Sequence, residues 1–449
     1  MPATSRALGL VALVVAIVAL APAQTEKPDT RPTVIVILAD DLGYGDLGCY
    51  GGPHPTPHLD ALAREGLRFT DFHSNGVVCS PTRAALMTGR YQQRAGIPGV
   101  VFADPKRAQH RHGLQPVEVT LAEAMGDAGY RTGMFGKWHL GYLKKYHPMR
   151  HGFARFVGFK SGNVDYQSHF DQALTFDWWQ GEEPVDEKGY LTRLITKHAT
   201  AFLAEAPGPA FLYVAHGAPH YPYQGPDDPP VRSKGSKRLW NARAKDHVAK
   251  AYPAMIKELD ASVGAIIAAV KKSPARDRTF VFFMSDNGPA GPGRSGGLRG
   301  RKGQVWEGGH RVPAIAWWPG RIAPASTTDA LTATFDVMPT MLGLAGVESP
   351  KTRPFDGKDL GPVLFRGKGF EDRELHFAHG RQSAIRRGRW KLVSRAPGQP
   401  SPGLFDVLED RAESRDLSEV HPTRVAQLAE ALAEWEGLVK RGATPQTGR

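Results

Sequence analysis

A doubly wound α/β fold with a smaller C-terminal subdomain is what this sequence predicts, on three observations. Four short apolar runs each end abruptly on polar residues. Helical stretches lie between those runs, the alternation that builds parallel sheets covered by helices. Beyond Gly346 the texture changes to short alternating runs and one closing amphipathic helix.

The runs come in this order. Thr33 to Leu38, TVIVIL, leads to Asp40 and Asp41. A shorter run in YRTGMFGKWH leads to Lys137 and His139. Ala210 to Ala215, AFLYVA, leads to His216 and His220, and Thr279 to Met284, TFVFFM, leads to Asp286 and Asn287. Their continuous apolar character suits strands buried on both faces. Open parallel sheets bind ligands beyond the carboxyl ends of their strands, so these polar residues are expected to share one crevice. Between the strands, PHLDALAREG predicts a helix with Leu59, Leu62 and Ala63 on one face and a stop at Gly66. Past Gly346, SAIRRGRWKLVS and GLFDVLED predict antiparallel strands, and PTRVAQLAEALAEWEGL predicts a helix burying Val425, Leu428, Leu432 and Trp435.

The first residues read differently. Arg6, an apolar run and Ala21-Pro22-Ala23 have the layout of a secretory signal peptide over residues 1–23. The run is short for the roughly 20 residues of a membrane span, so an uncleaved anchor is the weaker reading. The mature protein is then exported, periplasmic or secreted, with no stable membrane insertion after cleavage. Lys and Arg number 57 against 45 acids, a formal charge of +12, which favours an anionic partner. Export turns that expectation from nucleic acid to an extracellular polyanion such as a sulfated glycan. Two cysteines, Cys49 and Cys79, are too few for a disulfide framework but enough for one bridge.

Asp40, Asp41, Asp286 and Asn287 offer oxygens without imidazole or thiolate, a set suited to a hard cation, Ca2+ before Mg2+. Zinc is the weaker choice, because Pro219 separates His216 and His220 and argues against a helix that would aim both at one ion. Taken singly, paired acids at a strand end and Asp-Asn-Gly are also ordinary turn chemistry. The glycine-rich stretch 288–303 carries Arg299, Arg301 and Lys302 and reads either as a linker or as an anion-binding loop. In VVCSPTRAALMTGR, Pro81 suits the first turn of a helix, which puts Cys79 at its N-terminus and Arg83 one turn on. A thiol in that position is expected to have a lowered pKa and to be reactive.

Cys79-Ser80-Pro81-Thr82-Arg83 followed by LMTGR resembles the signature of the type I, formylglycine-dependent sulfatases, arylsulfatase-like members of the alkaline phosphatase superfamily. GYRTGMFGKWHLG resembles the second signature of that family. ILADDLGYGDLGCYGG, FMSDNG, GLRGRKGQVWEGGHRVP and AIRRGRWKLV resemble further blocks in the same order, so the resemblance covers nearly the whole mature chain. Thr82 stands where serine is commoner and keeps the hydroxyl.

The resemblance implies a large mixed sheet sandwiched by helices, with a catalytic domain over 32–345 and a C-terminal α+β subdomain over 346–449. It implies that a formylglycine-generating maturation enzyme oxidises Cys79 to an aldehyde. One hydroxyl of the aldehyde hydrate attacks the sulfur of a sulfate ester; loss of the proton from the other then expels sulfate and restores the aldehyde. Ca2+ falls to Asp40, Asp41, Asp286, Asn287 and an oxygen of residue 79, and Asp286 also accepts the proton of the attacking hydroxyl. Arg83 orients the hydrate, Lys137 and Lys302 neutralise the sulfate oxygens, His220, alone or with Lys302, protonates the leaving oxygen and His139 takes the proton when the aldehyde re-forms. Ser161 is a further substrate contact. The segment GFKSGNVDYQSH is similar to an arylsulfatase B-like branch acting on sulfated amino sugars. The basic stretch Val231 to Lys245 is either a solvated loop or a grip on a second anionic sugar.

The expected activity is therefore hydrolysis of a sulfated carbohydrate. Phosphonate monoester or phosphodiester hydrolysis by the same nucleophile is the alternative, which a comparison of aryl sulfate with aryl phosphonate turnover separates. A non-catalytic sulfated-glycan-binding protein would need a missing site residue, and none is missing.

Overall fold

The computed structural model describes residues 30–205, 208–236 and 244–447. The expected signal segment and residues 237–243 of the basic stretch lie outside the described residues. No helix among the described residues is long and apolar enough to cross a membrane.

The four anticipated strands are neighbours in one ten-stranded mixed sheet. Thr33–Ala39 runs down its middle, parallel to Ala210–Ala215 on one side and to Thr279–Ser285 on the other. Arg131–Lys137 pairs parallel with Ala210–Ala215, and Arg155–Phe159 pairs with Arg131–Lys137. Antiparallel pairing enters with Ala314–Trp317 on Thr279–Ser285 and with short strands at the far edge. Side chains alternate between faces in a strand. Accordingly Val34, Val36, Leu38, Phe280 and Phe282 join one core, and Ile35, Ile37, Val281 and Phe283 join the other.

Helices seal both faces. Pro57–Arg64, Leu191–Ala204 and Lys245–Lys272 bring Leu59, Leu62, Ile195, Ile256 and Leu259 to one core. Leu121–Asp127 opens with a reciprocal capping box, Thr120 with Glu123, and brings Met125 to the other, where Val337–Ala345 adds Met338 and Met341.

The C-terminal strands Glu374–His379, Gln382–Arg387, Trp390–Arg395 and Gly403–Asp406 form a separate antiparallel sheet. Helix Pro422–Arg441 covers it with Leu428, Leu432, Trp435 and Val439 buried and Val425 half-buried, close to the face expected from periodicity. Val77, Ala85 and Tyr91 belong to the same apolar cluster, so this sheet packs directly behind the helix that carries Cys79.

Candidate active site

The parallel strands deliver their polar ends together. Asp286 N–H donates to Ala39 O, His216 N–H to Leu38 O and Asp40 N–H to Ala218 O, which locks the three strand ends side by side. Lys137 closes the fourth strand. The close approach there needs Gly136, whose φ is +112° and whose added Cβ would lie 1.9 Å from Ala215 O.

Cys79 is the first residue of helix Cys79–Thr88, every residue of which is buried. Its Sγ is 3.3 Å from both Asp40 Oδ1 and Lys302 Nζ. The lowered thiol pKa expected from the helix end is not found. Burial, reinforced by the Asp40 and Asp286 carboxylates, outweighs Lys137 and Lys302 and pushes the thiol up to about 12. The thiol is therefore held protonated. It is not bridged: both cysteines are free.

Arg83 donates through Nε and Nη2 to Asp286 Oδ2 at 3.2 and 2.9 Å, and through Nη1 to Lys137 O at 2.8 Å. Asp286 Oδ1 accepts from Asp41 N–H, and burial beside Asp40 raises its pKa to about 6 despite Arg83 and Lys137. Lys137 Nζ sits 2.5 Å from Asp40 Oδ2 and is wholly buried. Lys302 Nζ sits 2.5 Å from Asp41 Oδ1; burial opposes its charge, but Asp41 and its neighbours hold it firmly protonated. Burial alone would raise Asp41, yet Lys302 and His220 hold it well below the usual carboxylate range.

His139 and His220 are both neutral. Burial, with Lys137 and Arg83 nearby, drives His139 well below 6.5; its Nε2–H donates to Val101 O at 2.9 Å and its buried Nδ1 has no partner. Burial pushes His220 down to about 3 against the pull of Asp41; its Nδ1–H donates to Tyr221 O, and Nε2 lies 3.5 Å from Asp41 Oδ2. His216 is absent from this group and pairs instead with Ser262 Oγ at 3.1 Å.

Asp41 and His139 adopt left-handed φ of 64° and 56°, conformations that cost a non-glycine residue of order 1–3 kcal/mol. Such strain is characteristic of residues held for a task.

Ligand atoms of Asp40, Asp41, Cys79 and His220 lie within 4.8 Å of one another. Asp41 Oδ2 and Asn287 Oδ1 are buried without a hydrogen-bond partner, while Asn287 Nδ2 donates to Asp41 Oδ1. Buried oxygens without donors, in a set rich in carboxylates, fit a hard oxygen-seeking cation.

A cavity of about 370 Å³ opens onto Asp41, Cys79, His139, His220 and Lys302. Ser161 also lines it; its hydroxyl donates to Asn163 O and its N–H to Asp177. Lys137, Asp40, Asp286 and Asn287 lie behind. Of the glycine-rich stretch, only Lys302 takes part in the charged cluster: Arg299 stacks on Trp306 and donates to Glu413 O, and Arg301 donates to Gly291 O. The outer wall holds residues to which sequence reading gave no role, among them Phe102, Tyr142, Gln172, Tyr221 and Tyr223. The aromatic cluster beside His220 was the signal for the last two; Phe102 and Tyr142 gave none.

Known proteins carry the same plan. Residues 32–347 match the family model described as Sulfatase. The chain is 36% identical to arylsulfatase A of Bos taurus, covering 86% of this chain and 83% of that protein. It is 33% identical to N-acetylgalactosamine-6-sulfatase of Mus musculus, covering 80% and 71%. Among solved structures, Ps i-CgsB in complex with k-i-k-neocarrahexaose superimposes with a TM-score of 0.81 at 28% identity, covering 90% of this chain and 92% of that one. A phosphonate monoester hydrolase of Agrobacterium radiobacter, at 21% identity and TM-score 0.65, shares the fold. With a buried acid–lysine–histidine cluster around Cys79 and this breadth of likeness, the chain belongs to the sulfatase family and is an enzyme of the sulfatase class.

Proposed function

We propose that this protein hydrolyses the sulfate ester of a sulfated carbohydrate, with residue 79 in its formylglycine form as nucleophile and Ca2+ as metal. The observation that carries the reading is the position of Cys79, within 3.3 Å of Lys302 and Asp40 at the floor of an accessible cavity, with its thiol held protonated. Likeness to Ps i-CgsB, solved with k-i-k-neocarrahexaose, and to an N-acetylgalactosamine-6-sulfatase supports a carbohydrate substrate.

Oxidation of the side chain from CH2SH to CHO supplies, after hydration, one hydroxyl to attack sulfur and a second whose deprotonation expels sulfate. Asp40, Asp41, Asp286 and Asn287 would hold Ca2+, which supplies Lewis acidity toward the sulfate and the attacking hydroxyl. Lys302 faces the cavity with a firm positive charge and compensates negative charge on the sulfate oxygens. Lys137 acts from behind through Asp40. Arg83 fixes the orientation of Asp286, whose raised pKa suits it to take the proton of the attacking hydroxyl. Lys302, firmly protonated, is the group able to give the departing alcohol oxygen its proton; His220, neutral with its proton on Nδ1, has none on Nε2 to give and lines the cavity beside it. His139 offers the unpartnered Nδ1 as acceptor for the second hydroxyl. Ser161 positions the wall beside His139.

The test has two readouts. In the tryptic peptide Phe69–Arg83 from protein made with a maturation enzyme, residue 79 is expected to carry the aldehyde. That protein is expected to hydrolyse 4-nitrophenyl sulfate, to lose the activity to a chelator and to regain it with Ca2+. An unmodified thiol in fully active protein sinks the nucleophile assignment; faster turnover of a phenyl phosphonate sinks the sulfate assignment.

The maturation enzyme is a required partner under this reading, and the mature protein is exported to the periplasm or secreted. The catalytic domain spans 32–345 and the C-terminal subdomain 346–449.

A further inference from the structure

We propose that the outer part of the active-site cavity selects one neutral, singly sulfated sugar ring, and that Asn163 is the residue that reads it. The inference rests on the hydrolysis reading above and names its substrate more narrowly.

The charges that line the cavity, Asp41 and Lys302, lie beside residue 79, with the neutral His139 and His220. Above them the wall is uncharged, built from Phe102, Tyr142, Tyr221, Tyr223, Asn163 and Gln172. Aromatic faces carry negative quadrupole density, which welcomes the polarised C–H bonds of a sugar face and repels an anion. A carboxylate or second sulfate pressed against this wall would lose water and meet no cation among the described residues that line it. The nearby cations lie outside the lining. Lys160 lies over the Trp179 ring at 3.8 Å, Arg107 lies over the Phe102 ring at 4.5 Å, Arg232 is buried with Nη1 donating to Phe170 O and Nη2 unpartnered, and Arg301 donates to Gly291 O. None of these four side chains lines the cavity. At about 370 Å³ the space lies at the small end of ligand cavities, suited to one ring and its ester.

Asn163 supplies the specific contact. It is 6% exposed, lines the cavity, and its buried Oδ1 has no protein partner. An unpaired buried acceptor is costly and favours a ligand that brings a donor. A ring hydroxyl or an acetamido N–H is such a donor; an ionised carboxylate is not. Its loop is held from both sides. Ser161 Oγ donates to Asn163 O, and Gly162 lets the chain pass the His139 ring, which a Cβ would approach to 2.9 Å. Opposite, the Gln172 amide donates to the Tyr221 hydroxyl, fixing that part of the wall.

The test is binding, measured by calorimetry on Ca2+-loaded Cys79→Ala protein, so that neither maturation nor turnover intervenes. Galactose 6-sulfate and N-acetylgalactosamine 6-sulfate are expected to bind at least about tenfold tighter than a galactose disulfate or a sulfated uronic acid. Adding Asn163→Ala is expected to weaken the neutral sugars about tenfold and 4-nitrophenyl sulfate clearly less. Equal or tighter binding of the doubly charged sugars overturns the proposal and points to Arg301 at the rim. Equal weakening of sugar and aryl sulfate overturns the role of Asn163. The comparison of sugars on the Cys79→Ala protein stands even if the second substitution impairs folding. Selective binding of neutral sugars beside absent aryl sulfate turnover in the matured protein would reject hydrolysis and keep the recognition.

Discussion

Among the described residues, two of the clusters of buried charge each set three acids against three bases. At the strand ends, Asp40, Asp41 and Asp286 face Arg83, Lys137 and Lys302. Where the C-terminal sheet meets the main domain, Asp71, Glu307 and Glu413 face Arg311, Arg386 and Lys391. The second cluster also holds His73, Glu307 and His310 within reach of one ion. What separates the two is valence already spent. Arg386 bonds both oxygens of Asp71, His73 bonds Asp71 and His310, and the Lys391 ammonium sits on Glu307 and His310 Nε2. The strand-end cluster leaves Asp41 Oδ2, Asn287 Oδ1 and His139 Nδ1 unpaired and opens to a cavity. A closed network joins two parts of a fold; an open one is where chemistry is expected.

The largest effect that sharpens this comparison is Cys79→Ser. Serine can accept a sulfuryl group but has no second hydroxyl with which to expel it. Turnover is expected to fall by about 10^4-fold or more, with one sulfuryl group retained on residue 79 by mass spectrometry and little change in Tm. Normal turnover by that variant would remove the hydrate from the mechanism. Arg386→Ala works on the closed cluster. It strands Asp71 in the interior and is expected to cost about 3–5 kcal/mol of stability in denaturant unfolding, with kcat per folded molecule kept. A loss of kcat without a loss of stability would make the closed cluster catalytic after all. Lys302→Ala is expected to lower kcat by about 10^2–10^3 for an aryl sulfate, the scale of losing one charge-stabilising donor, with a smaller change in stability than Arg386→Ala.

Sequence pattern made most of the first cluster legible because its acids and Lys137 follow recognisable strands and Arg83 lies in the first turns of a helix, whereas Lys302 sits in a glycine-rich loop that gave no such signal. Pleat alternation and strand ends were enough to gather Asp40, Asp41, Lys137, His220, Asp286 and Asn287. The second cluster was not legible: Asp71 and Arg386 are 315 residues apart, Asp71 lies in a bend between Leu67–Phe69 and Phe72–His73, and no local pattern predicts that it meets Arg386. Depth was the other gap. CSPTRAALMT mixes Ser80, Thr82 and Arg83 with alanines, so nothing in it announces a helix buried all round. The thiol pKa was misjudged for that reason, since the helix end was weighed and the loss of water was not. Left-handed backbone at Asp41 and His139 is likewise set by tertiary contacts rather than by residue type.

The smallest expected effect concerns pH. Buried histidines are held neutral through much of the fold: burial pushes His216 and His376 down to about 3 and His151 to about 4. In the unfolded chain these rings titrate near 6.5. Between about 3 and 6.5 the unfolded state therefore binds more protons than the native state, so stability rises with pH across that window and is lost as pH falls through it. Carboxylates held low, such as Glu307 beside Lys391, act in the same direction at the acid end. His376 allows one proton to be subtracted. Its ring stacks on Trp435 with centroids 4.9 Å apart, so His376→Phe keeps the stacking and removes the titration. The slope of unfolding free energy against pH is expected to become shallower by up to about 1.4 kcal/mol per pH unit between about 4 and 6. An unchanged slope would mean that His376 is already protonated in the native state, and the C-terminal sheet would then carry a buried charge that its closed network does not neutralise.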